Sequence, residues 1–272
     1  MKEAIILLFS IFKTVSLGDK KCTGVTFGNR YAELSVLKEG INRIRDLVYN
    51  QNDHTIYFTY NLISRPPSSS AGYVTVGNRE AGVIDGIKNA RTIAVDQTNN
   101  VVYIGGSDGI YTLNDKKVPV KLPGVNDNIV CLFFKDILYY TNHRRQTFKY
   151  ENDGVLLPEL HESVVDSFVI DNDDNILFTH NRTLFRVKVG TRAINIHEHY
   201  DVDFLTTDTN GNAFVGSNDG VYVYNKYKFN LQKVSDLRTL TDMTFNKINE
   251  PIYAVADKII QLNFKPIACT EN

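Results

Sequence analysis

Charged and polar side chains recur at one position of the sequence, where each run of alternating apolar residues begins. Arginine and aspartate are the commonest types there, and such side chains bind carboxylates, amines or metal ions when several of them line one cavity. A single residue of this kind usually only caps a strand and binds water. The residues indicate a binding site only if the fold brings them together as a set. The seven residues are Arg45, Asp46, Arg91, Asn128, Asp166, Asp203 and Asp242.

The chain carries no complete motif for catalysis. We find no P-loop, HExxH motif or dinucleotide-binding glycine pattern. His197-Glu198-His199 places two imidazoles on one face of a predicted strand, which is a candidate metal pair. That segment is predicted to lie at an outer sheet edge, where solvated histidines are the simpler interpretation. The sequence therefore predicts no catalytic residue, no metal ion and no cofactor.

A repeated unit of roughly 40 residues must position the seven polar residues. GGSDGIYTLN at 105–114 returns as GSNDGVYVYN at 216–225, and each reads as a tight turn followed by a strand. The first interval between units is the longest, and Arg65–Ser70 reads as a loop insertion within it. The middle strands of the six units align on Tyr57, Tyr103, Tyr139, Leu177, Phe214 and Tyr253. Successive residues of this set are 46, 36, 38, 37 and 39 positions apart.

Four strands per unit of this length is the period of a propeller blade. The sequence therefore predicts an all-β, six-bladed β-propeller, in which the alternating segment Arg30–Leu37 completes the last blade and closes the ring. A β-sandwich would explain the density of strands but not their constant spacing. Because the first strand of each blade lines the central channel, the seven polar residues should converge at its mouth.

A second repeated polar position follows the first strand of most units. Its aspartates and asparagines stand where an Asx turn is needed, so we interpret them as structural. Gly109 and Gly220 are likewise interpreted as turn glycines. The residues at the Asx position are Asn50, Asp96, Asp171, Asp208 and Asn246.

The N-terminus has the features of a secretory signal peptide. Lys2 precedes the apolar run from Ala4 to Phe12, and Ser16-Leu17-Gly18 supplies small residues at the spacing of a cleavage site. The run is too short to span a bilayer. The sequence thus predicts a signal peptide at 1–18, a single propeller domain at 19–272, and a secreted, extracellular protein.

Secretion determines how the three cysteines and the one sequon are interpreted. Cys22 and Cys269 are predicted to form a disulfide that fastens the seam of the ring. Cys131 lies in an apolar run and is predicted to be a free, buried thiol. Asn181-Arg182-Thr183 makes Asn181 the candidate glycosylation site.

The overall charge argues against two classes of partner. Lys and Arg total 30 and Asp and Glu total 31, for a net charge of -1. No basic cluster is present to attract nucleic acid or an anionic membrane. We therefore expect a monomer whose partner is a small molecule.

Three segments carry a resemblance to a known family. They are Lys21-Cys22-Thr23-Gly24-Val25 at the mature start, Arg91–Asp96, and Gly216–Tyr222. With the short signal peptide, they make the whole chain resemble the ommochrome-binding proteins of lepidopteran insects, small secreted haemolymph proteins that carry tryptophan-derived pigments. The resemblance implies a carrier of flat, fused aromatic molecules that bear carboxylates and amines. By position, Arg45 and Arg91 would meet a carboxylate and the aspartates an amine.

Two other functions remain open on the sequence alone. Metal-dependent lactonases are also six-bladed propellers with acidic and amide residues around the axis. They use a glutamate followed by Gly-Pro in the first blade, where this chain has Glu39-Gly40-Ile41 and so lacks the proline. The other alternative is a propeller that serves only as a platform for protein interactions.

Overall fold

The computed structural model describes residues 24–151, 154–197 and 200–266. The predicted signal peptide, Cys22 and Cys269 lie outside these ranges, as do Glu198 and His199. Within the described ranges, 25 strands form six antiparallel sheets, and Pro158–Leu160 forms a short 3-10 helix. No helix in this part of the chain is long and apolar enough to cross a membrane.

The strands follow one another blade by blade along the chain. Two N-terminal strands are β1 Val25–Phe27 and β2 Arg30–Lys38. Blade one contains β3 Ile44–Asn50, β4 Thr55–Asn61, β5 Ser69–Thr75 and β6 Ala81–Ile84. Blade two contains β7 Thr92–Asp96, β8 Val101–Gly106, β9 Gly109–Leu113 and β10 Pro119–Lys121. Blade three contains β11 Ile129–Lys135, β12 Ile137–Asn142, β13 Thr147–Lys149 and β14 Val155–Leu156.

The second half of the ring repeats the same order. Blade four contains β15 Ser167–Ile170, β16 Asn175–His180, β17 Thr183–Lys188 and β18 Asn195–His197. Blade five contains β19 Val202–Thr207, β20 Ala213–Ser217, β21 Gly220–Asn225 and β22 Asn230–Ser235. Blade six contains β23 Leu240–Phe245, β24 Pro251–Val255 and β25 Lys258–Phe264.

The predicted six-bladed propeller and its mode of closure are confirmed. The sheet of blade six has the order β1-β2-β25-β24-β23, so the N-terminal strand pairs with the C-terminal one. Ala32 of β2 lies opposite Phe264 of β25 in an antiparallel ladder. Strand β1 adds a fifth strand outside β2, which the sequence pattern did not predict. The inner strands β3, β7, β11, β15, β19 and β23 contact one another in turn around the axis.

The sequence alignment of the blades was wrong by one residue in blade six. In blade one Val48 pairs with Tyr57, and the equivalent pair in blade six is Thr244 with Ile252, not Tyr253. Tyr253 matches the other blades in aromatic type, but it packs towards blade five, whereas Tyr57 packs towards the following blade. A shift of one residue moves each side chain to the other face of the sheet. An alignment based on residue type alone therefore placed Tyr253 on the wrong face.

Apolar side chains fill the space between blades. The described residues form six buried clusters, one between each pair of neighbouring blades. Between blades three and four, for example, Phe168 and Ile176 pack against Cys131. Because both faces of each sheet are covered in this way, the strands read as nearly continuous apolar runs in the sequence.

The repeated Asp-Gly-x-Tyr turn has a local physical cause. The Tyr111 hydroxyl donates to Asp108, 3.0 Å from Oδ2, and the Tyr222 hydroxyl donates to Asp219 Oδ2 at 2.7 Å. Gly109 has φ +144°, and a Cβ there would lie 2.6 Å from the Val125 carbonyl oxygen. The turn therefore needs the aspartate as acceptor and glycine as the residue without a side chain.

The Asx position is confirmed as structural. Asp96 Oδ1 accepts from the backbone N–H of Thr98 at 2.9 Å, and Asp208 Oδ1 accepts from that of Asn210 at 2.9 Å. Equivalent bonds close the turns that follow the inner strands at Asn50, Asp171 and Asn246.

Candidate functional site at the channel mouth

A cavity of about 700 Å³ runs along the propeller axis and is lined by the inner strands of all six blades. This volume is typical of small-molecule sites in proteins. Its walls are formed by the inner strands, and apolar side chains of these strands such as Phe168 and Met243 are buried between the blades. The structure brings six of the seven predicted residues to this cavity: Arg45, Asp46, Arg91, Asp166, Asp203 and Asp242.

Two arginines at the mouth have no acidic partner. Arg45 Nε donates to the amide oxygen of Asn61 at 2.5 Å, and within the described residues the Arg91 side chain forms neither an ion pair nor a hydrogen bond. Burial, and then the nearby charges of Arg91 and Arg43, lower the pKa of Arg45. Two guanidinium groups that repel each other and lack a counter-ion form an anion-binding arrangement.

The two aspartates on the opposite side of the mouth are already paired. Asp166 Oδ1 lies 3.1 Å from Arg145 Nη1, and its Oδ2 accepts from the backbone N–H of Asn181 at 2.7 Å. Asp203 Oδ1 lies 2.8 Å from Arg182 Nη2. These partners come from the turns between the second and third strands of blades three and four, and the sequence did not predict that either arginine would reach the mouth.

Arg182 is shared between two carboxylates. Besides Asp203, it forms a two-pronged pair with Asp201, with its Nη2 2.9 Å from Asp201 Oδ2. The hydrogen bonds to Asp201 raise the pKa of Arg182, and the same contact lowers the pKa of Asp201. This side of the mouth is therefore largely neutralised, unlike the side that carries Arg45 and Arg91.

Asp46 and Asp242 link neighbouring blades. Asp242 Oδ2 accepts from the backbone N–H of Leu47 at 2.7 Å, which joins blade six to blade one. Asp46 Oδ2 accepts from the backbone N–H of Ile93 at 3.0 Å and joins blade one to blade two. Both aspartates line the cavity, so their placement agrees with the prediction. The hydrogen bonds that they accept, however, link neighbouring blades of the propeller.

The residue at the same register position links blade two to blade three. Thr92 Oγ1 accepts from the backbone N–H of Leu132 at 2.9 Å. In blade three the position is held by Cys131, whose sulfur lies 4.0 Å from the Ser167 hydroxyl oxygen of blade four. Cys131 is a buried, free cysteine, as predicted, and burial raises the pKa of its thiol to about 12. A link of this kind is visible in sequence only after the inner strands are correctly aligned.

Asp46 and Asp242 also form a coupled carboxyl pair. Burial raises the pKa of each, and for Asp242 the neighbouring charge of Asp46 raises it further. Ionising both carboxyls would place two like charges side by side in a buried site, so the pair keeps a proton to a higher pH than a free aspartate. The pair therefore holds less negative charge than two free aspartates would.

Asn128 lies outside the channel in a second cavity. This groove of about 570 Å³ opens beside the mouth and shares Arg45 and Arg91 with the channel. Its remaining wall comes largely from the segment between β4 and β5. The backbone N–H of Asn128 donates to Asp127 Oδ1 at 2.7 Å.

Neither the candidate glycosylation site nor His197 of the candidate metal pair lines the channel. Asn181 lies exposed in the turn between β16 and β17, on the face of the disc that carries the mouth. His197 ends β18 at the outer edge of blade four, where its ring contacts Tyr224 edge to face. No group of three or more histidine, cysteine or acidic side chains in the described ranges could hold a metal ion.

The fold defines the chain as a six-bladed β-propeller with a polar channel mouth, and solved propellers agree. A gluconolactonase from Xanthomonas campestris superposes with a TM-score of 0.69 at 13% identity, covering 90% of this chain and 96% of that one. The WD40 β-propeller domain of Doa1 gives a TM-score of 0.60 at 14% identity, covering 90% and 98%. At these identities the likeness concerns the fold alone.

One curated relative is similar along the whole chain. It is the ommochrome-binding protein of Manduca sexta, 24% identical over 270 residues, which covers 96% of this chain and 98% of the relative. This similarity confirms the resemblance predicted from the sequence and supports a binding protein. No protein-family model matches the chain. Since lactonases share the fold, the enzymatic alternative stays open.

Proposed function

We propose that this protein is a secreted carrier of a planar aromatic pigment of the ommochrome type, which binds at the channel mouth. One observation supports the place of binding: Arg45 and Arg91 lie near each other at a small-molecule cavity, and no acidic residue in the described part of the chain pairs with either. A ligand carboxylate would relieve their mutual repulsion and form charge-assisted hydrogen bonds. The full-length similarity to an ommochrome-binding protein supports the class of ligand.

The structure changes the roles that the sequence suggested for the acidic residues. Asp166 and Asp203 already have arginine partners, and burial raises the pKa of both Asp46 and Asp242. None of these four aspartates is therefore a free carboxylate that waits for an amine. The sequence favoured contacts of the ligand with Arg91 and with at least two of Asp46, Asn128, Asp166, Asp203 and Asp242. In view of these partners we assign the main charge interaction to Arg45 and Arg91 instead.

Secretion belongs to the same proposal. Its support is the sequence pattern at 1–18, the sequon at Asn181 and the resemblance to the haemolymph carriers. Expression of the full chain in insect cells tests it, because a secreted protein accumulates in the medium with a new N-terminus close to residue 19. An uncleaved chain retained in the cells would contradict it.

The test of function is the absorption spectrum of protein purified from its natural fluid, before and after extraction with acid methanol. A carrier shows a visible band that the solvent removes and that returns when the extracted pigment is added back. Turnover of gluconolactone that needs added calcium or zinc, in a protein without a bound pigment, would overturn the proposal in favour of the lactonase alternative.

A further inference from the structure

The segment at 62–68 is the longest connection between the second and third strands of any blade. It has seven residues between β4 and β5, whereas the same connection has two in blades two, four, five and six and four in blade three. It accounts for the long first interval of the repeat. Because the second strand ends on the face where the inner strand begins, this segment stands at the channel mouth. We call it the insertion loop.

The insertion loop is held in shape by its own hydrogen bonds. The backbone N–H of Leu62 donates to the Ser68 carbonyl oxygen at 2.9 Å, and the Ser64 and Ser68 hydroxyls are 2.7 Å apart. Asn61, at its base, accepts from Arg45 Nε through its side chain. A loop fixed in this way loses little conformational freedom when a ligand binds against it.

The insertion loop presents apolar side chains to the groove beside the mouth. Ile63 is 93% exposed and Leu62 is 41% exposed, and both line the groove of about 570 Å³. Isolated exposed apolar residues are common on protein surfaces. These two differ because the same groove is also lined by Arg45 and Arg91, two cations with no counter-ion among the described residues.

Charge favours the groove over the channel for an anion. Among the described residues, those that line the groove include both arginines and no acidic residue. The channel is lined by three arginines, Arg45, Arg91 and Arg145, and by five aspartates, Asp46, Asp166, Asp203, Asp208 and Asp242. A carboxylate that entered the channel would pass the aspartates, whereas in the groove it meets only the arginines.

We infer that the groove, and not the channel, holds the body of the ligand. The carboxylate lies between Arg45 and Arg91, and the flat ring packs on Ile63 and Leu62, with Asn128 at its edge. The ligand class is therefore a planar aromatic carboxylate. This inference rests on the proposed function and adds the insertion loop to it as the wall that selects for an aromatic ring.

Two simple probes, quinoline-2-carboxylate and quinoline itself, distinguish binding of the aromatic ring from binding of the carboxylate. We would titrate each against the full secreted chain and follow ultraviolet absorbance. Ile63→Ser should weaken both probes by about fivefold, because it removes apolar surface from the ring site. Arg91→Ala should weaken only the carboxylate.

Two control variants show whether the aromatic ring of the probe lies in the groove or in the channel. Val130→Ser changes an apolar residue that lines the channel but not the groove. Ile248→Ser changes an exposed isoleucine in the turn between β23 and β24, on the opposite face of the disc. Both should leave the two affinities within about twofold of the wild-type values.

The outcomes distinguish this inference from the proposed function. If the wild-type chain binds neither these probes nor the pigment, the proposed function fails and the inference falls with it. If the probes bind and Val130→Ser weakens them while Ile63→Ser does not, the ligand lies in the channel and only the inference is overturned. An unchanged affinity in both variants would also overturn the inference, since the ring would touch neither wall.

Discussion

At the scale of single residues, the channel mouth carries some charged side chains that are already paired and others that are not. The sequence could not distinguish the two. Asp166 and Asp203 are satisfied by arginines from neighbouring turns, whereas Arg45 and Arg91 are not satisfied by any acid in the described part of the chain. Only the arginines therefore gain a new partner when an anion binds. The difference makes Arg91 the most informative position to change.

We predict that Arg91→Ala weakens pigment binding by roughly 2 to 5 kcal/mol, because the ligand carboxylate is left desolvated without its cation. Arg192→Ala removes an equal charge from an exposed loop on the opposite face, and His197→Ala changes the outer edge of blade four. Both should leave binding unchanged in an absorbance titration. A loss of affinity in His197→Ala with none in Arg91→Ala would move the site to the outer face of blade four.

The carboxyl pair makes stability depend on pH in a predictable direction. In the unfolded chain an aspartate releases its proton near the ordinary pKa of 3.8, whereas the folded pair holds one proton to higher pH. The folded state then binds more protons than the unfolded state. The free energy of unfolding therefore falls as the pH rises from about 3.8 through the raised pKa.

We predict that Asp46→Asn reduces this loss of stability between about pH 5 and about pH 8. The amide oxygen can still accept from the N–H of Ile93, and the amide nitrogen can donate to Asp242 in place of the shared proton. Urea unfolding at the two pH values measures the effect. If Asp46→Asn and the wild type lose the same stability over this range, the carboxyls do not share a proton.

Asp242→Asn is the matched contrast. Asp242 accepts from Leu47 on one oxygen and from Met243 on the other, and an amide offers only one oxygen. One buried N–H would lose its acceptor, so we expect Asp242→Asn to be less stable than the wild type at both pH values.

At the scale of elements, the inner strands are tied to one another by side chains as well as by apolar packing. Asp242, Asp46 and Thr92 occupy one register position and accept the N–H of the next inner strand, across three successive junctions. Blade five has Phe204 at this position, and its aromatic ring packs in the core between blades five and six instead. The links therefore cover half of the six junctions between blades.

We predict that Thr92→Val destabilises the fold by about 1 to 3 kcal/mol, because the buried N–H of Leu132 loses its acceptor while the side-chain volume stays similar. Thr112→Val is the control, since the Thr112 hydroxyl makes only a long, exposed contact of 3.4 Å to the Val120 carbonyl oxygen. Chemical denaturation compares the two. Equal stabilities of the two variants would contradict a stabilising role for the link between blades.

The sequence predicts the elements better than it predicts the partners of the site residues. Alternation and turn residues located the repeat, and the N-terminal strand was correctly assigned to the last blade. Arg145 and Arg182 were missed because they reach the mouth from turns that carry no repeated signal. Register failed at Tyr253 because an aromatic residue on either face of a strand looks the same in one dimension.

At the scale of the whole molecule, closure of the ring depends on the pairing of β2 with β25. Lys265 N–H donates to the Tyr31 carbonyl oxygen at 3.0 Å, which extends the ladder to the end of the described chain. Since β1 and β25 flank β2, Val25 and Phe264 lie opposite the same residue, Ala32, on its two sides. Two strand spacings separate them by roughly 10 Å.

This geometry permits the predicted disulfide between Cys22 and Cys269, which lie outside the described residues. Cys22 is three positions before Val25, and Cys269 is five positions after Phe264. Eight residues of chain can span about 26 Å, which exceeds the gap between the two strands. The strands β1 and β25 run in the same direction, so the bond requires at least one terminal segment to turn back towards the other.

We predict that the Cys22→Ser, Cys269→Ser double variant loses stability on the order of 5 kcal/mol, because the bond closes a loop of almost the whole chain. Any strain in the bond would reduce this figure. Cys131→Ser is the matched control: it lies in the core between blades three and four and should leave the disulfide intact. Non-reducing peptide mapping checks the connectivity directly. A bond from Cys131 to either terminal cysteine would refute the seam model, because Cys131 is buried within an inner strand of blade three.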